Sequence, residues 1–187
     1  LTALAQATKR IRLGVLVTGL PYRHPAVMAN IAATVDVISN GRLELGLGAG
    51  WNDEEADAYG ISLGATLTER FDMFDEALEV IVSLLTNEVS NFSGQHFNLT
   101  NAYCEPKPIQ RPHPPICIGG AGPKRTIPAV ARWAQHWNFP GGPVDSWKAS
   151  RDLLWAECER IGRDPSEIMT STHLLADAND PGVAVAQ

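Results

Sequence analysis

Short β-rich runs alternate with amphipathic helical runs along almost the whole of this 187-residue chain, and that rhythm excludes most folds. Strand, helix and strand again at this pitch make parallel strands joined by crossover helices. Residues 11–17 (IRLGVLV) read as a strand. Pro25–Ser39 reads as a helix: Pro25 suits the first turn, Val27, Ile31, Val35 and Ile38 recur at helical spacing, and Asn40-Gly41 supplies a left-handed stop. Residues 42–48 (RLELGLG) read as the next strand. Thr66 and Glu69 form a TxxE capping box for a helix reaching about Leu85, with Leu67, Phe71, Phe74, Leu78, Ile81 and Leu85 on one face.

Residues 89–115 break the rhythm. They are rich in turn residues and prolines, which predicts a small hairpin or ordered excursion rather than a linker. Strands are then expected at 115–119, 137–139 and 168–176, with helices near 125–135 and 145–161. The whole is expected to be a single domain, 1–187, of the α/β class: either a TIM barrel or a doubly wound open sheet. A GxGxxG opening is missing after the first strand, which weighs against the dinucleotide-binding open sheet.

A formal charge of −6 argues against a nucleic-acid partner and against adhesion to an anionic membrane. The apolar runs are too short to span a bilayer, and no basic segment precedes an apolar core. Three cysteines without CxxC spacing suit a reducing compartment, so a cytoplasmic protein is expected. His24, His96, His113, His136 and His173 show no metal-ligand spacing, and no GxSxG elbow supports a hydrolase. No metal is expected.

Three segments taken in order resemble the bacterial luciferase-like monooxygenase family, in particular its branch of oxidoreductases dependent on coenzyme F420. They are RIRLGVLVTGLPYRHPAVMAN (10–30), DVISNGRLELGLGAGWNDEEADAYGI (36–61) and RPHPPICIGGAGPKRT (111–126). The resemblance implies a TIM barrel with its excursion between the fourth and fifth strands. In that register the chain carries strands three to seven, and a closed barrel needs eight, so a partial chain is expected.

Each motif has a physical reading beside this one. GGAG, with Gly119, Gly120, Ala121 and Gly122, follows a strand and opens a helix. Glycines let N–H groups converge on an anion, the helix start adds partial positive charge, and Lys124, Arg125 and Thr126 add donors. The resemblance makes this the cofactor phosphate site; the alternative is a tight turn needing glycine only for its dihedrals. Pro128 lies where a helix should be regular, so either the helix starts near Thr126 or it kinks.

LVTG, with Leu16, Val17 and Thr18, ends the first strand here. The resemblance implies a bulge with a non-prolyl cis peptide at Leu16–Val17 supporting the cofactor ring; a plain trans strand end is the alternative. Gly50, Trp51 and Asn52 end the next strand, where small residues admit a flat ring and Asn52 can hydrogen-bond it. The family's sugar-phosphate dehydrogenases carry a glutamate where Trp51 stands, which argues against their chemistry and leaves Trp51 as an apolar wall. Glu54 and Glu55 read as helix N-terminal charges. His24 reads as a helix lead-in residue more readily than as a proton donor, and no catalytic acid or base is assigned.

The reading is an oxidoreductase transferring a hydride between coenzyme F420, or FMN, and a small organic substrate. The alternatives are an FMN-dependent monooxygenase of the same family and a phosphate-binding TIM-barrel isomerase or aldolase. A homodimer is expected of the full-length protein.

Overall fold

The structure is a computed structural model and describes residues 1–173. It divides into two compact units, Leu1–Pro115 and the part from Ile116 onward.

The first unit begins with helix α1 (Thr2–Ala7), then strands β1 (Leu13–Gly14) and β2 (Thr18–Gly19), each pairing in parallel with β3 (Leu43–Gly48). The expected continuous strand at 11–17 is thus corrected to two short ones. Gly14 pairs with Glu44 and Thr18 with Leu47, so four steps on one side face three on the other and one extra residue bulges out. The Leu16–Val17 peptide within that bulge is cis, at the position the resemblance implies. Gly46 makes the bulge possible: a Cβ there would sit 1.8 Å from the Val15 carbonyl oxygen. Only glycine lets the two backbones approach so closely.

Helix α2 (Pro25–Ser39) ends as expected, with Asn40 in the left-handed region. Its buried face is only partly the expected one, for of the expected apolar residues Val35 is buried. Val27 and Ile31 are exposed, while Met28, Ala29, Ala32, Ala33 and Asp36 are buried. Small side chains let the helix lie close against its neighbours, and the buried Asp36 carboxylate accepts from both the backbone N–H and the side-chain amide of Gln110 at 2.9 and 2.7 Å. The short helix α3 (Asp53–Ala58) is capped by Asn52. Helix α4 (Leu67–Thr86) buries Phe74, Leu78, Ile81 and Leu85, whereas Leu67, placed on the same face by spacing, is exposed at the first turn. Its capping box is half formed: Thr66 accepts from the Glu69 N–H, but the Glu69 carboxylate takes the Ala65 N–H. The excursion is an antiparallel hairpin of β4 (Ser90–Ser93) and β5 (Asn98–Ala102).

In the second unit β6 (Ile116–Gly119), β7 (His136–Phe139) and β8 (Met169–Thr172) lie parallel in that order. Helix α5 (Thr126–Trp133) joins the first two and α6 (Val144–Ile161) the second two, and the two helices pack on each other. Because α5 starts at Thr126, Pro128 falls in its first turn, where no intrahelical donor is lost. Arg163 closes the far end of α5 by donating to the Ala131 and Ala134 carbonyls at 2.8 and 2.6 Å. The expected last strand, 168–176, is β8 as far as the description goes; residues 174–176 lie outside the described residues. No helix among the described residues is long and apolar enough to cross a membrane. All three cysteines are buried and none forms a disulfide; burial raises the thiol pKa of Cys104 and Cys158.

Candidate functional site

In each unit the loop that follows a parallel strand carries one group of the expected site residues. In the first unit, pairing of Thr18 with Leu47 and Gly19 with Gly48 brings residues 16–18 and 50–52 to adjacent strand ends. Val17 is half-buried over Gly48, and Leu16 is exposed. Gly50 has a φ of 84°, which turns the chain sharply at the end of β3. Trp51 is 82% exposed in the loop after β3. The Asn52 side-chain amide oxygen Oδ1 accepts from the Glu55 N–H at 3.1 Å. That side chain therefore caps α3 and offers only its amide nitrogen elsewhere.

Two features here escaped sequence reasoning. The Tyr22 hydroxyl donates to Glu55 at 2.9 Å, and the Tyr22 ring lies against Gly19. Burial and then the Glu55 hydrogen bond push the phenol pKa up, so the proton stays on the oxygen. Arg70 donates to the Leu63 carbonyl at 3.1 Å and to Asp53 at 2.6 Å. It ties the segment after β3 to the start of α4. YRHP displayed Tyr22 in the sequence, but nothing local pairs it with Glu55. His24 acts as the lead-in: its Nδ1 accepts from the Ala26 N–H at 3.2 Å and its ring stands edge-on to Phe97.

In the second unit, residues 119–126 run from the end of β6 into α5. Gly120 has a φ of 114°, and its N–H donates to the Asn138 carbonyl at 3.0 Å. Its own carbonyl accepts from the Trp137 indole N–H at 2.7 Å. Beyond it the loop opens. Among the described residues no backbone carbonyl accepts from the N–H of Ala121, Gly122 or Lys124. Thr126 is buried beneath the loop, its hydroxyl 3.0 Å from where a Gly122 Cβ would stand. A side chain at Gly122 would crowd that hydroxyl, whereas at Gly120 it is the positive φ that favours glycine. Gly122 and Lys124 are exposed, and Arg125 has interaction partners within the protein. Successive unpaired N–H groups at the start of a helix, with a hydroxyl below and no carboxylate among residues 119–126, suit an anion with several oxygens.

The luciferase-like monooxygenase family model matches residues 1–183. Pyrimidine monooxygenase RutA of Allorhizobium ampelinum is 30% identical over 186 residues, which cover 96% of this chain and 49% of that protein. Among solved structures, the monooxygenase RslO1 from Streptomyces bottropensis matches with a TM-score of 0.79 and 26% identity, over 94% of this chain and 54% of that one. An F420-dependent secondary alcohol dehydrogenase, bound to an F420-acetone adduct, matches with a TM-score of 0.81 and 25% identity, over 91% and 51%. The fold class is that of these luciferase-like α/β TIM barrels, and the chain spans about half the length of the relatives it matches.

Proposed function

This chain belongs to the luciferase-like monooxygenase family, and on that premise we propose that its protein is an oxidoreductase that binds a phosphate-bearing deazaflavin or flavin and transfers a hydride to or from a small organic substrate. The observation that carries the reading is the open run of N–H groups at Ala121, Gly122 and Lys124. Such a run would hold the cofactor phosphate, with the Thr126 hydroxyl beneath it. The ends of β2 and β3, at Leu16, Val17, Thr18, Gly50, Trp51 and Asn52, would face the ring. The bound cofactor supplies the redox chemistry, and the protein supplies orientation and exclusion of water. Tyr22, its hydroxyl proton donated to Glu55, stands at the same strand ends.

Coenzyme F420 is the preferred cofactor, supported by the alcohol dehydrogenase likeness. FMN with monooxygenase activity is the second reading, its monooxygenase part supported by the likeness to RutA and RslO1. The visible spectrum of the intact protein, purified and then reconstituted with each cofactor, tests both. A deazaflavin band that shifts on binding supports the first, and a flavin band the second. Absence of binding by either would overturn the proposal and leave the phosphate-binding isomerase.

A further inference from the structure

Trp137 lies outside every motif in the sequence, yet its side chain is tied directly to the open loop. It is fully buried on β7, edge-on to Phe139. A buried indole N–H requires an acceptor, and Trp137 finds it in the Gly120 carbonyl, 2.7 Å away. The same glycine gives its N–H to the Asn138 carbonyl at 3.0 Å. Both peptide planes flanking Gly120 are therefore tied to consecutive residues of the neighbouring strand.

Peptide planarity carries this outward. In a trans peptide the carbonyl of one residue and the N–H of the next share a plane and point in opposite directions. The Gly120–Ala121 peptide is trans, since the cis bonds are all elsewhere. Pulling the Gly120 oxygen inward to Trp137 therefore turns the Ala121 N–H away from the core. That N–H is the first in the run without a backbone acceptor. Without the indole donor, the half-buried Gly120 carbonyl would lose its protein partner and that restraint on the peptide's rotation would be gone.

We infer that Trp137 is the positioning residue of the anion loop: its indole N–H sets the orientation of the Gly120–Ala121 peptide and so aims the Ala121 N–H at the cofactor phosphate. The inference rests on the phosphate reading of residues 119–126, and the test separates the two. Affinities of the intact protein are measured for FMN against riboflavin, and for coenzyme F420 against its dephosphorylated deazariboflavin core. The parent protein should prefer the phosphate-bearing member of at least one pair. If neither pair is discriminated, the phosphate reading itself fails.

Where the parent discriminates, Trp137→Phe keeps the buried ring and removes only the donor. It should lose roughly tenfold in affinity for the phosphate-bearing member, the scale of one charge-assisted hydrogen bond, and stay within about twofold for the other. A role in stability alone would weaken both members equally. Discrimination left intact in Trp137→Phe overturns the assignment. If that variant does not fold, the parent decides: the Trp137 indole N–H resonance should move on adding the preferred phosphate-bearing cofactor and hold still with its dephosphorylated partner. A resonance that ignores both contradicts the inference.

Discussion

Two turns in this molecule gather backbone N–H groups, and they differ in what meets those groups. At the tip of the β4–β5 hairpin, Gln95, His96 and Phe97 all donate to the Glu76 carboxylate, at 2.8, 2.9 and 3.1 Å. At the β6–α5 loop, Ala121, Gly122 and Lys124 meet no backbone acceptor. The physics is shared: N–H dipoles converging on negative charge. The hairpin carries its own anion from α4 and is closed by it. The other loop has no carboxylate among residues 119–126, which leaves its donors open for the proposed phosphate. A filled nest fastens an excursion to a helix, and the open one is where the proposed cofactor phosphate would sit.

The sharpest break in that contrast is Gly122→Asp, which gives the open loop a carboxylate of its own. Affinity for the phosphate-bearing cofactor should fall on the order of 100-fold through like-charge repulsion and occupied donors. Gly122→Asn meets the same Thr126 hydroxyl without the charge and should lose much less. Equal losses from the two, by calorimetric titration, would mean that space and not charge governs the loop.

The reverse operation is Glu76→Gln. It turns an amide NH2 toward the hairpin donors and should cost roughly 1–2 kcal/mol of stability, with faster hydrogen exchange at Gln95, His96 and Phe97. Cofactor affinity should be unchanged. The pH dependence has a definite sign. Partial burial pushes the Glu76 carboxyl up, but the three N–H donors outweigh it and hold its pKa below the usual glutamate value. Its stabilisation is therefore complete above the ordinary carboxylate range and is lost as pH falls through the depressed folded value. Thermal melts of Glu76→Gln and the parent should converge in acid. A gap that persists or widens there would contradict the Glu76 role.

The smallest effect is expected from Lys124→Ala. Lys124 is exposed, and an exposed charge contributes little. A loss of about threefold or less, shrinking with salt, fits a loop that binds through its backbone. Abolished binding would shift the account from N–H groups to side-chain charge.

The two nests also show what a sequence can carry. The open one was legible: GGAG after an apolar run and before a helix is a local signal, since glycine and the helix start act within a few residues. Alternation of β and α runs gave β3 and α2 nearly to the residue, and Asn40-Gly41 marked its stop. The closed nest was invisible, because Glu76 reaches residues about twenty positions away through the fold. Trp137 and Gly120 are separated in the same way. The strand at 11–17 was overread because the bulge depends on what Gly46 permits across the ladder. On α2, Val27 and Ile31 followed the helical period correctly but lie on the exposed face, since alanines allow the closer approach. N-D-E-E also carried the capping signal that the Asn52 side-chain oxygen fulfils at α3.

Amide chemical shifts of the isotope-labelled intact protein, followed while cofactor is added, test the central claim most directly. The Ala121, Gly122 and Lys124 N–H signals should move markedly with the phosphate-bearing cofactor and little with its dephosphorylated form. Gln95, His96 and Phe97, already held by Glu76, should stay in place throughout as an internal reference. A bound cofactor that leaves the Ala121, Gly122 and Lys124 signals unmoved would contradict the account.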